Sequence, residues 1–326
     1  METGVLEQRR TWVGVACGMG AGAVWGFVFL APELVRGFSA LQLTIGRYLA
    51  YGLLSALLIA PKWRGLVRRL TPGQWRALAW LALVGNTVYY ILLSTAVRDG
   101  GIAMTSLVIG FLPVAVTIVG SRDRGAVPVR RLLPSLLLCV AGALCIGWQA
   151  LFVPSSRPLA AGVTGLICAV GAVAAWTAYA VGNSRWLARL EDISADDWNL
   201  LTGVVTGAQT LVLIPVALLV DRVRHSAVAW AGFGVVSVGL AFLASIVGNG
   251  LWNRMSRLLP LTLVGQMILF ETLFALVYGL VWERRLPTLL EGLAFVLVVL
   301  SVMSCIAAHG RGRSAGDQRA VLAVPD

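Results

Sequence analysis

Apolar runs follow one another along this 326-residue chain with only short polar breaks between them. About 20 apolar residues in a helix cross the hydrocarbon core of a bilayer. Read at that length, the sequence holds about ten runs. They cover 12–32, 39–60, 74–97, 101–120, 132–152, 162–187, 198–220, 229–252, 260–282 and 288–308. Only 13% of the residues are charged and 58% are hydrophobic. A soluble domain carries roughly 25% charged residues, so a soluble globule is excluded. The sequence therefore predicts an all-α integral membrane protein.

The net charge of +11 does not point to nucleic acid, because the basic residues sit in the short breaks between runs. With the N-terminus inside, 18 of the 26 lysines and arginines fall on cytoplasmic segments, among them Lys62, Arg64, Arg68, Arg69, Arg130 and Arg131. Seven fall outside and Arg47 lies within a run. That excess places both termini in the cytoplasm. The first run is too long and too glycine-rich for a signal-peptide core and reads as a span. The tail from Gly310 onward is polar and is expected to be disordered. Cys17, Cys139, Cys145, Cys168 and Cys305 all lie inside apolar runs. They read as buried thiols, since neither a disulfide framework nor a zinc spacing is present. No metal or cofactor is expected.

The polar residues inside the runs carry the chemistry. Glu271 stands near the centre of Leu261–Glu283. A carboxylate there costs on the order of 3 kcal/mol unless it is protonated, paired or hydrated. Arg47 lies about eight residues, or roughly 12 Å, from the outer end of its run, too deep for easy snorkelling. Glu271 lies at a depth within about 4–5 Å of it. Opposite charges at one depth have reason to meet, because an unpaired buried charge costs far more than a paired one. Two readings stay open. The pair faces a cavity and serves substrate or protons, or it is a static ion pair that fixes register. Asn86, Tyr89 and Tyr90 in the third run either bond between helices or line that cavity. Trp176 in the sixth run either fills the core or walls an apolar substrate. Gln209 lies near the middle of the seventh run, and Gln266 lies five residues before Glu271, not strictly on one face with it. Glu33, after Pro32, is either interfacial or a gate. Pro113 is expected to kink the fourth run and free a carbonyl. Gly14, Gly18, Gly22 and Gly26 repeat every four residues and form one face, where another backbone can approach closely. That face either packs statically or slides.

Ten runs divide as five plus five near residue 155, and an odd number per half inverts the second half in the membrane. Such inverted repeats place substrate near the midplane between the halves. The expected organisation is a tail at 1–11, five-helix repeats at 12–154 and 155–308, and a tail at 309–326. GAVWGFVF at Gly22–Phe29 echoes GAVAAWTAYAV at Gly171–Val181.

The order of these residues resembles the drug/metabolite transporter superfamily, specifically its EamA-type members with ten helices. The matching positions are Trp25-Gly26, Arg47, Gly85, Pro113, Gly142 and Gly147, then Trp176, Glu271, Glu283 and Gly292. The resemblance spans about 12–308. Thr272 stands where the family often has a proline after the glutamate, and Ser121-Arg122-Asp123 replaces a Gly-Glu. The resemblance implies secondary transport across the bacterial inner membrane, often export, and leaves the cargo open. An amino acid or similar metabolite is the leading expectation, with Tyr89, Tyr90 and Trp176 favouring an aromatic or hydrophobic one. Efflux of cationic compounds with Glu271 as counter-charge is the alternative. A membrane enzyme is the minor one, because His225 and His309 lie near run ends and no HExxH, GxSxG or Walker motif occurs. The implied partners are a small-molecule substrate and the lipid bilayer. Protons and a second copy of the chain are left open.

Overall fold

The computed structural model of the chain describes residues 2–35, 37–100, 105, 108–123, 126–151, 159–220 and 223–322. Its elements are α-helices with short 3-10 and π segments, and no strand occurs among the described residues. The chain is an all-α integral membrane protein. The first half holds α1 (Glu2–Gly26), α2 (Ala40–Ile59), α3 (Pro72–Ala82), α4 (Tyr89–Gly100), α5 (Leu112–Gly120) and α6 (Val129–Leu151). The second holds α7 (Leu159–Leu187), α8 (Ala195–Thr210), α9 (Leu213–Val220), α10 (Ala227–Leu240), α11 (Asn249–Leu258), α12 (Leu261–Met267), α13 (Leu269–Glu283) and α14 (Leu289–Leu322).

Six described stretches are long and apolar enough to cross a membrane. They are Leu41–Arg69, Pro72–Val97, Leu159–Leu187, Ala227–Leu258, Leu261–Trp282 and Leu289–His309. The pair α8 and α9, bent by 45°, makes a seventh if taken as one span. The expected count of ten is therefore larger than what length and composition support among the described residues. Much of the run 101–120 and the end of 132–152 lie outside the described positions or side chains, as do the side chains of Glu33, Gly147 and Glu283.

Local sequence explains where these helices begin. Ser39 caps α2: its hydroxyl accepts from the Gln42 backbone N–H at 3.1 Å, and the Gln42 side chain accepts from Ser39 N–H at 2.9 Å. Thr71 and Gln74 repeat this reciprocal cap at α3, with Pro72 where its missing N–H has no helical partner to lose. Ser194 and Ser226 cap α8 and α10.

Two expectations are corrected here. Pro113 is not in the middle of a helix but in the first turn of α5, where proline removes no helical bond. The C-terminal tail is not irregular: α14 continues as helix to Leu322. The register of the preceding apolar stretch propagates through Ala307–Ala320, and the cost of Gly310 and Gly312, about 1 kcal/mol each, does not stop it.

Helices α6 and α14 pack together, as do α2 and α8, α4 and α7, α1 and α13, and α5 and α12. Exposed leucines and valines, such as Leu137, Val235 and Val296, cover the outside of the bundle. In water they would be a liability, and in lipid they are the solvent-facing surface. The glycine face of α1 meets α11, α12 and α13. A Cβ on Gly18 would fall 2.7 Å from Met255 Sδ, and one on Gly22 would fall 2.8 Å from the backbone N of Glu271.

Two long helices widen into π segments. Leu83–Val88 joins α3 to α4, and Ala241–Gly248 joins α10 to α11. A third break separates α12 from α13 at Ile268, three residues before Glu271. No proline causes it.

Candidate functional site

Arg47 is buried on α2, with 8% of its surface exposed. Its Nη1 donates to the Tyr90 hydroxyl at 2.6 Å and its Nε donates to Ser245 Oγ at 3.3 Å. The guanidinium also lies near the rings of Tyr48 (5.4 Å) and Tyr90 (5.6 Å). Such cation–π contacts help hold a charge away from water. Tyr90 stands edge-on to both Tyr48 and Tyr89.

Glu271, on α13, is half-buried. Arg47 and Glu271 lie near enough for each to feel the other's charge, and Tyr89 feels both. They make no direct ion pair, and among the described residues the Glu271 carboxylate has no hydrogen-bond partner. The static contact allowed by the sequence is therefore not what the structure shows. The arginine is held by neutral hydroxyls, and the carboxylate stands apart.

The remaining sequence candidates divide. Asn86, half-buried in the first π segment, donates to Thr206 Oγ1 at 3.0 Å and joins α8 to it. Gln209 donates to the Ala79 carbonyl at 2.9 Å, a tie between α8 and α3. Trp176 is buried against Trp252 (5.4 Å) and Tyr179 (6.1 Å), which is core filling. Gln266 is fully buried. It accepts from Ser301 at 3.0 Å and donates to Thr117 at 3.4 Å, a cross-link of α5, α12 and α14 away from Arg47. Gly14, Gly18, Gly22 and Gly26 pack against α11, α12, α13 and the Leu258–Leu259 corner.

Several residues around Arg47 were not singled out from sequence. Tyr51 is four residues after Arg47, and that spacing puts both on one helical face, a signal that was available. Its hydroxyl donates to Asn199 Oδ1 at 2.6 Å. Asn199 Nδ2 in turn donates to the carbonyls of Ser245 (3.2 Å) and Ile246 (3.0 Å), and Trp25 Nε1 donates to that of Ala244 (2.9 Å). Three successive carbonyls of the second π segment are thus satisfied by side chains of other helices. Nothing in the sequence marks Ser245 or Asn199 for this. Asn199→Ala would leave the two carbonyls short of a donor, at about 1–3 kcal/mol for each buried group, while the Tyr51 hydroxyl keeps the residue 199 backbone carbonyl at 2.7 Å. A clear fall in thermal midpoint of the purified protein is expected, and an unchanged midpoint would show that water or relaxation replaces the amide.

The two ends of the bundle differ in chemistry. At one end Lys62 pairs with Asp197 (3.2 Å), Arg254 with Asp196 (2.6 Å) and Arg185 with Asp123 (2.6 Å). The opposite end has an ion pair too, Arg285 with Glu291 (2.7 Å), and adds an aromatic cluster in which Phe38 stacks between His225 (4.0 Å) and Phe233 (4.4 Å), with Trp230 edge-on at 4.9 Å.

Membrane-length helices that enclose an arginine, a carboxylate and a set of tyrosines define a multi-pass membrane protein with a polar centre. A solved crystal structure shares this fold, with a TM-score of 0.71 and 18% identity over 91% of this chain and 97% of its own. Residues 12–148 match the EamA-like transporter family. The inner membrane protein YtfF of Escherichia coli (strain K12) is 31% identical over 317 residues, covering 90% of this chain and 95% of that protein. The chain belongs to the EamA-like transporter family, and it is a membrane transporter of the drug/metabolite transporter superfamily.

Proposed function

We propose that this transporter is a secondary carrier of the bacterial inner membrane that exports a small metabolite of the amino-acid class, with an aromatic or other hydrophobic side chain, and that protons drive it. One observation carries the reading: a buried arginine and a half-buried carboxylate, from α2 and α13, share one neighbourhood without pairing directly. A ligand with an anionic and a cationic group matches both. Tyr89 and Tyr90 supply an apolar wall beside them. The two halves, 12–154 and 155–308, act as inverted five-helix repeats in this reading. In support, the third long helix of each half carries a π segment. The inner-membrane assignment follows the relative.

The test is a thermal-shift screen of purified protein against amino acids, sugars and cationic dyes. A ligand that binds only the native state raises the midpoint with concentration, by about 2.7 kcal/mol of stability at a hundred times its Kd. Aromatic amino acids are expected to stabilise, and uptake of the best one into proteoliposomes follows. The second reading is efflux of cationic compounds, favoured by the unbonded Glu271 carboxylate. Stabilisation by dyes and not by amino acids would select it.

The proposed orientation has its own check. With both termini cytoplasmic, a cysteine at Pro287 is expected to react with an impermeant maleimide on intact cells, and one at Arg64 is not. The reverse labelling would invert the topology and every depth drawn from it.

A further inference from the structure

Arg47 is bonded to both π-segment helices at once. Tyr90 follows the segment Leu83–Val88 by two residues, and Ser245 lies inside Ala241–Gly248. The guanidinium reaches the first through Nη1 and the second through Nε. Its planar fork fixes the angle between the two bonds, which a lysine ammonium on a flexible stem does not. A π turn carries one residue more than the α-helix around it, bonds less regularly and is the weak point of its helix. Each segment also bears a glycine under an aromatic ring of the other half: Gly85 under Tyr179, and Gly248 under Trp25. The two weak points thus belong to different halves of the chain and share one arginine.

We propose that Tyr90 and Ser245 are positioning residues that hold Arg47, and that Arg47 so held locks the two π segments to each other, so that neither loosens alone. Nη2 has no hydrogen-bond partner among the described residues. An anionic group arriving at this edge adds to the hydrogen bond a charge–charge attraction that the neutral phenol cannot supply. The Tyr90 bond is therefore the one that ligand exchanges, and its exchange releases both segments together. This last step rests on the reading of Arg47 as part of the substrate site. The lock itself does not, and it is tested without any ligand.

The test is amide hydrogen exchange, read by mass spectrometry, on the full-length protein in lipid nanodiscs. Exchange reports local opening of each segment separately. Tyr90→Phe removes one oxygen and Ser245→Ala another. Each is expected to raise exchange in both Leu83–Val88 and Ala241–Gly248 by at least about tenfold, since each bond to the charged group is among the stronger ones. Arg47→Lys is expected to loosen both segments as well. Ser245→Thr keeps the hydroxyl and is expected to restore wild-type protection, which guards against a general loss of folding. If Tyr90→Phe loosens only Leu83–Val88 and Ser245→Ala only Ala241–Gly248, or neither segment changes, the lock does not exist. Transport that fails while this coupling holds would count against the function reading alone.

Discussion

Glu271→Gln is expected to yield a folded carrier that exchanges substrate across a liposome membrane but no longer accumulates it when a pH gradient is applied. One pH unit corresponds to about 1.4 kcal/mol per proton, so a carrier moving one proton per substrate builds about a tenfold concentration ratio from it. That ratio should fall to one in the mutant. The geometry favours this outcome over simple destabilisation. Arg47 takes its bonds from Tyr90 and Ser245, so loss of the Glu271 charge does not strip the arginine of a direct partner. A static pair predicts the opposite. Glu271→Gln would then lower the thermal midpoint markedly, because breaking a buried pair costs about 3–5 kcal/mol. Addition of Arg47→Met would restore both midpoint and transport. Accumulation equal to wild type in Glu271→Gln would remove this residue from any role in coupling.

Gly22→Leu is expected to abolish transport and to prevent a monodisperse preparation. A Cβ at that position would fall 2.6 Å from Phe270 Cβ and 2.8 Å from Glu271 N and Phe270 C. Backbone of α13 cannot yield as a side chain can, and forced overpacking costs typically 1–3 kcal/mol or more. Gly18→Ala is expected to be milder, because what it meets are Met255 and Met267, whose unbranched side chains can move aside. Gly232→Leu serves as the control, since nothing lies within 4 Å of a Cβ there. If Gly22→Leu purifies normally and transports at the wild-type rate, α1 and α13 part far enough in the membrane to accept it.

Much of this architecture was readable in the sequence because a bilayer makes strong demands on composition. Apolar length located the helices, and the four-residue glycine spacing found the face that meets α13. The expense of a charge at depth singled out Arg47 and Glu271. What stayed hidden were choices between neighbours. Periodicity gives the face of a helix but not the helix opposite it. Gln266 was thus a polar candidate with no partner in view, and it ties α12 to α5 and α14. Trp176 looked equally like a cavity wall or core until Trp252 was seen against it. The π segments add one residue to a turn, and the polar residues within them, Asn86 and Thr87 in one and Ser245 in the other, read equally well as part of an unbroken α-helix. Pro113 misled because a proline in the middle of an apolar run and a proline at a helix start look alike in sequence.

Salt acts in opposite senses on two kinds of contact at the ends of the bundle. The Lys62–Asp197, Arg254–Asp196 and Arg185–Asp123 contacts each include a partner at least 45% exposed. Exposed pairs of this kind are worth at most about 1 kcal/mol each and are screened by ions. The Debye length shrinks from about 30 Å at 0.01 M to about 3 Å at 1 M. The Phe38, His225, Trp230 and Phe233 cluster has no ion pair to screen, and salted-out rings hold together more firmly. Concentrated sulfate therefore loosens these three exposed pairs while tightening the aromatic cluster.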